Sequence, residues 1–222
     1  MAYNNVDHSK QLVFDIETIP QQPGEFPEEL EDLVTRKLER TLKSNPNADV
    51  DSERRKIMAT DPFLGRIICI GLYLPGSDTK ISLTNDNEKE LLTRFWKGIA
   101  DFNGLFVSFN GVRFDCPYIV RRSIVNRVAP TNSSFLQFNR YDPYPPHFDV
   151  MLQMSGRDGF LSLKNACAIL GVASPKDGEI KADGVEKAWK EGRIKEIAEY
   201  CLRDVIATHK VFEIIYPYIG KN

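Results

Sequence analysis

Apolar and polar positions divide this chain into short alternating elements. Leu12-Val13-Phe14 opens an apolar run that continues into Asp15-Ile16-Glu17-Thr18 and stops by Pro20, the pattern of a short strand. From Phe26 onward, Leu30, Leu33, Val34, Leu38 and Leu42 recur at helical spacing. The first turns of that segment are acidic and its end is basic, as a helix dipole favours. Residues 44–61 are polar and contain Asn45-Pro46-Asn47, which predicts a long loop. Residues 66–74 and 80–84 read as two strands around a turn at Pro75-Gly76-Ser77-Asp78. Asn85 or Asp86 is then the expected cap of a helix carrying Leu91, Leu92, Phe95, Trp96 and Ile99. A third apolar run, 105–109, lies between Gly104 and Asn110-Gly111. A helix is expected from Asp115 to about Val128, then a Pro- and Tyr-rich loop around 141–146. Helices over 161–170 and 193–216 follow, the second ended by Pro217. Strands first, then strands and helices in alternation, predict an α/β domain with a mixed sheet.

Composition narrows the class. At 222 residues the chain suits one large domain. Lys plus Arg number 29 against 31 Asp plus Glu, so the strongly basic balance of many nucleic-acid binders is absent. Cys69, Cys116, Cys167 and Cys201 form no CxxC pair, which argues against a zinc ribbon and for reduced thiols. Residues 1–11 lack the apolar core of a secretory signal, and the longest mostly apolar stretch, 67–74, is far shorter than a membrane span. A soluble, cytoplasmic protein is expected.

Three acidic motifs carry the candidate chemistry. In Asp15-x-Glu17, residues two apart on a strand share a face, so the carboxylates stand side by side. Either the strand has ended there and both are in water, or a cation offsets the cost of burying them, most simply a divalent metal with oxygen ligands. In Asn110-Gly111-Val112-Arg113-Phe114-Asp115-Cys116-Pro117, a strand gives way to a helix, and Asp115 also suits an N-cap. In Tyr200-x-x-x-Asp204, the two side chains are four apart on a helix and project together. Asp204 edges onto the apolar stripe formed by Ile197, Cys201, Val205 and Phe212.

In this order and on these elements, the three motifs together resemble the DEDD (DnaQ-like) superfamily of 3′–5′ exonucleases, in its tyrosine-bearing branch. The chain is most similar to the predicted 3′–5′ exonucleases related to the exonuclease domain of family-B DNA polymerases. His147-Phe148-Asp149-Val150 and Leu161-Ser162-Leu163-Lys164 look like the same family. In the histidine branch a His would stand where Glu199 is, and His209 lies on the wrong side of Asp204 to replace it. The resemblance implies a ribonuclease-H-like α/β fold, a mixed sheet flanked by helices, in one exonuclease domain over 1–222 with an insertion at about 21–63. It further implies that Asp15, Glu17, Asp115 and Asp204 hold two divalent ions, Mg2+ or Mn2+, and that Tyr200 orients the attacking water. Thr18, Ile19, Asn110 and Phe114 would meet the substrate, a single-stranded DNA 3′ end, which would release nucleoside 5′-monophosphates. Arg54-Arg55-Lys56 and Arg121-Arg122 are candidate phosphate contacts.

Other readings stay open from sequence. The same chemistry on RNA differs only in contacts to the 2′-OH, which sequence does not display. A non-catalytic nucleic-acid-binding module with this fold would be expected to lack some of the carboxylates, and all are present. A haloacid-dehalogenase-like phosphatase would need a second Asp at Glu17 and a later Gly-Asp pair, which the chain lacks.

Overall fold

The computed structural model describes residues 6–22, 24–139, 146–173, 180 and 184–219. Five strands, β1 (Asp7–Pro20), β2 (Gly65–Leu74), β3 (Thr79–Thr84), β4 (Gly104–Ser108) and β5 (His147–Asp149), form one mixed sheet in the order β3-β2-β1-β4-β5. β1 pairs antiparallel with β2 and parallel with β4, so its motif residues lie at the centre of the sheet. Eight α-helices are described: α1 (Glu31–Ser44), α2 (Val50–Thr60), α3 (Glu88–Ile99), α4 (Asp115–Asn126), α5 (Val150–Ser155), α6 (Leu163–Leu170), α7 (Val185–Lys190) and α8 (Ile194–Ile219). The mixed α/β architecture matches the expectation from sequence.

Side chains of β1 alternate between two cores, as a pleated strand requires. Leu12, Phe14 and Ile16 enter a core with Leu91, Phe95 and Trp96 of α3 and Tyr118 and Ile119 of α4. Val13 enters another with Val205, Val211 and Phe212 of α8. Asp15 and Glu17 continue the Val13 face, so they stand where apolar residues would otherwise meet α8. Gly71 opposes Asp15 on β2, and an added Cβ there would lie 2.8 Å from the Cys201 sulfur. The missing side chain lets α8 approach the sheet closely.

Several expectations need correction. Residues 44–61 are not one loop, because 50–60 form α2. Asp49 caps this helix by accepting a hydrogen bond from the Ser52 amide, and Met58 packs with Val34 of α1 and Leu64. Only one helix face is apolar, and it is short, so no periodic stripe announces it. The cap of α3 is Asn87, which accepts from the Glu90 amide, while Asn85 accepts from the Asn87 amide. Pro217 does not end α8. It lies in the last turn, where its missing N–H leaves only the Glu213 carbonyl without its helical partner. The short helices α5 and α7 were not anticipated. Of the predicted loop at 141–146, all but Pro146 lies outside the described residues. Among the described residues no helix is long and apolar enough to cross a membrane.

Candidate active site

Asp15 and Glu17 side-chain oxygens and the Cys201 sulfur lie within 4.8 Å of one another, which brings the first strand against the final helix. The register of β1 with β2 shifts between Glu17 and Thr18, so Glu17 is the last residue before an irregularity. Glu17 is buried and Asp15 half-buried. Neither forms a salt bridge with a described residue, and burial together with the neighbouring carboxylates pushes both well above the usual carboxylate range. For Asp15 those neighbours are Asp115, Glu17 and Asp204. The four motif carboxylates therefore share one electrostatic environment, and proximity of like charges inside protein is costly until a cation enters.

Asp115 reaches the site from α4. It is not the N-cap of that helix but its first residue, and its carboxylate accepts a hydrogen bond from the Ile16 amide at 3.0 Å. Burial raises its pKa to about 7. The turn before it is tightly held. Asp149, buried at the end of β5, accepts from the amides of Asn110, Val112 and Leu152. Gly111 is required there, because a Cβ would lie 2.3 Å from the Ser108 hydroxyl oxygen. Asn110 adopts positive φ (66°), a conformation Asn tolerates better than most residues. Asp149 is thus an organiser of the site that residue spacing did not single out. Its signal in the sequence is the family-like segment His147-Phe148-Asp149-Val150, which does not by itself say what the Asp does.

Tyr200 and Asp204 lie on successive turns of α8, and the phenol is hydrogen-bonded to the Asp204 carboxylate. Burial, with Asp204, Glu17 and Asp15 nearby, pushes the phenol far above its ordinary pKa. His209 is elsewhere on α8, stacked against Phe212 and edge-on to Tyr73.

The four residues expected to meet substrate divide. Asn110 is at the turn, and its side-chain oxygen is buried without a hydrogen-bond partner among the described residues. Phe114 is half-buried beside Tyr118, its ring 5.3 Å away. Thr18 is half-buried, and its side chain is hydrogen-bonded to the Tyr118 hydroxyl. Ile19 is a correction: its side chain is fully buried with Ile68, Cys69 and Val185, because it follows the irregularity and turns into the core. Arg122 is another. It is buried in an ion pair with Glu88 and also donates to the Pro62 carbonyl, so it is not a phosphate contact.

The donor set suits hard divalent cations. Carboxylate oxygens converge, two of the groups stand on a strand face that would otherwise be core, and the charge of Asp15 and Glu17 is uncompensated by any described cation.

A family model described as a predicted 3′–5′ exonuclease related to the exonuclease domain of PolB matches residues 66–218. That span contains Asp115, Tyr200 and Asp204 and begins after Asp15 and Glu17. Among solved structures, the chain is similar to the family B DNA polymerase from the hyperthermophilic archaeon Pyrobaculum calidifontis, at 15% identity and a TM-score of 0.60. The match covers 94% of this chain and 24% of the polymerase. At that identity the likeness concerns the fold. No curated protein matches the chain.

Proposed function

The chain belongs to the family of predicted 3′–5′ exonucleases related to the exonuclease domain of PolB, and from that premise we propose that it removes nucleotides one at a time from the 3′ end of single-stranded DNA. The observation that carries this reading is the convergence of Asp15, Glu17, Asp115 and Asp204 with Tyr200, brought together from the central strand β1 and the helices α4 and α8. Asp15, Glu17, Asp115 and Asp204 would hold two divalent ions, Mg2+ or Mn2+. Bound there, such ions stabilise the attacking and leaving oxygens of an in-line displacement at phosphorus.

The chain's own groups have separate tasks. Tyr200 stays a neutral phenol at physiological pH, so it orients the attacking water by hydrogen bonding and does not act as the base. The Asp204 carboxylate fixes that phenol. Asn110 offers an otherwise unpartnered acceptor to the sugar of the terminal nucleotide, and the Phe114 ring edge flanks its base. The water oxygen bonds to phosphorus as the bond to the 3′-oxygen of the preceding nucleotide breaks, and a nucleoside 5′-monophosphate leaves. DNA is favoured over RNA because the family is related to the exonuclease domain of PolB, a DNA polymerase.

The test uses 5′-end-labelled DNA and RNA single strands with Mg2+ or Mn2+. Stepwise shortening from the 3′ end is expected, abolished in folded Asp15→Ala and Asp204→Ala and reduced about 10²-fold in Tyr200→Phe, the cost of a misplaced nucleophile. Absence of metal-dependent cleavage of either strand by the wild type overturns the reading.

A further inference from the structure

Two thiols stand against the carboxylates of β1. Cys201 of α8 is fully buried, with its sulfur 3.8 Å from the Asp15 Oδ2 and 3.6 Å from the Asp15 carbonyl oxygen. Together with Glu17 it forms the one mixed cluster in which a sulfur and two carboxylate oxygens converge among the described residues. Cys69 opposes Glu17 across the β1–β2 pair, is also fully buried, and its thiol is hydrogen-bonded to that of Cys201. Both cysteines are free thiols. The Cys201 sulfur occupies the space that Gly71 leaves open on β2, so packing holds it beside the carboxylates.

This donor set has a chemistry that four carboxylates lack. Mg2+ and Mn2+ seek oxygen and leave a thiol protonated, whereas Zn2+, Cd2+ and Co2+ bond thiolate sulfur and carboxylate oxygen together. With Zn–S about 2.3 Å and Zn–O about 2.0–2.2 Å, sulfur and oxygen ligands of a tetrahedral site stand roughly 3.5 Å apart. The 3.8 Å between the Cys201 sulfur and the Asp15 Oδ2 is close to that spacing.

We infer that Asp15, Glu17 and Cys201 form a site for one thiophilic divalent ion, Zn2+ above all, and that its occupancy blocks cleavage. On binding, the Cys201 S–H proton passes to water and the thiolate bonds to the metal. The Cys69 S–H then donates to the bound sulfur, and water takes the fourth position. Asp15 and Glu17 are thereby withheld from Mg2+ or Mn2+. The block rests on the exonuclease reading, but the sulfur site does not.

The test titrates Co2+ into the metal-free protein, because a thiolate ligand gives cobalt a charge-transfer band in the near ultraviolet. The wild type is expected to show the band and to lose it when Zn2+ displaces Co2+. Cys201→Ser is expected to abolish it, with Cys201→Ala in its place if that variant does not fold. Cys167→Ser, which alters a buried thiol between α6 and α8, is expected to keep it. In cleavage assays at fixed Mg2+, the Zn2+ concentration that halves each variant's own rate is expected to rise about tenfold in Cys69→Ala, which removes only a partner of the ligand, and further in Cys201→Ser. A wild type without the band, a band that persists without Cys201, or a band lost in Cys167→Ser overturns the sulfur site. Equal sensitivity of wild type and Cys201→Ser to Zn2+ overturns the block. A band that follows Cys201 in a protein that cleaves no strand in Mg2+ or Mn2+ leaves the site standing and removes the exonuclease reading instead.

Discussion

The Asp115 carboxylate accepts the Ile16 amide hydrogen at 3.0 Å, joining residues 99 positions apart. Ile16 lies between Asp15 and Glu17, so a single hydrogen bond sets the α4 carboxylate against the paired carboxylates of β1. It also means that Asp115 is held by protein before any cation arrives.

Metal should therefore stabilise this protein. Divalent ions that bind the folded carboxylate cluster and not the unfolded chain add about 2.7 kcal/mol at a hundredfold excess over Kd. Thermal melts with and without Mg2+ or Mn2+ should show a rise in Tm for the wild type. Asp15→Asn should melt higher than the metal-free wild type, because it removes one of several mutually repelling buried charges, and should respond little to added metal. A metal-free Asp15→Asn that melts lower than the wild type would count against uncompensated repulsion at the site.

Acid lability should be traceable in part to His147. The ring is fully enclosed, with one nitrogen 2.8 Å from the Phe135 carbonyl oxygen and the other beside the Cys116 sulfur. Burial lowers its pKa to about 4. The folded state thus refuses a proton that the unfolded chain accepts near 6.5. Stability from this residue is complete above about pH 6.5 and is lost as pH falls toward 4, by at most about 3 kcal/mol. Urea midpoints measured across that window should fall more steeply for the wild type than for His147→Gln. Parallel curves would remove His147 as the cause.

How far the sequence foretold this arrangement depended on whether the signal was periodic or three-dimensional. β1 and α8 were legible because their apolar residues recur at strand and helix spacing, and the motif carboxylates interrupt that spacing conspicuously. α2 was not, since Ile57 and Met58 alone face the small core that Val34 and Leu64 complete. Ile19 and Arg122 were misassigned for a related reason. A motif says which residues are near the chemistry in sequence, whereas a register shift after Glu17 and a buried Glu88 partner decide which side chains face it. Asp149 was legible only as part of the family-like segment 147–150, because no spacing rule marks an acceptor of backbone hydrogens and its task is to hold three amides.

The buried pair of Glu88 and Arg122 yields a stability prediction. The Glu88 carboxylate accepts from Arg122, the Ile67 amide and Asn126, tying α3, α4 and β2 together. Arg122→Met strands that carboxylate and should cost about 3–5 kcal/mol. Arg122→Met/Glu88→Gln should cost less than Arg122→Met alone, because the amide oxygen still accepts from Ile67 without a stranded charge. Urea denaturation at matched m-values compares them, and a double variant weaker than the single would refute the assignment.

Gly71 links packing to catalysis. It opposes Asp15 across the β1–β2 pair, and an added Cβ would sit 2.8 Å from the Cys201 sulfur and 3.1 Å from Val205 Cγ2. A buried sulfur cannot yield that space without moving α8 away from the sheet. Overpacking of this kind costs about 1–3 kcal/mol. Because Tyr200 precedes Cys201 and Asp204 lies one turn further, the displacement should carry both from Asp15 and Glu17. Gly71→Ala should therefore lose more strand-cleaving activity than its stability loss accounts for, when assayed well below its Tm. Cys201→Ala in the Gly71→Ala background removes the obstructing sulfur and should recover part of both stability and activity. If Cys201→Ala recovers neither, the close approach of α8 at Gly71 does not set the geometry of the carboxylate site.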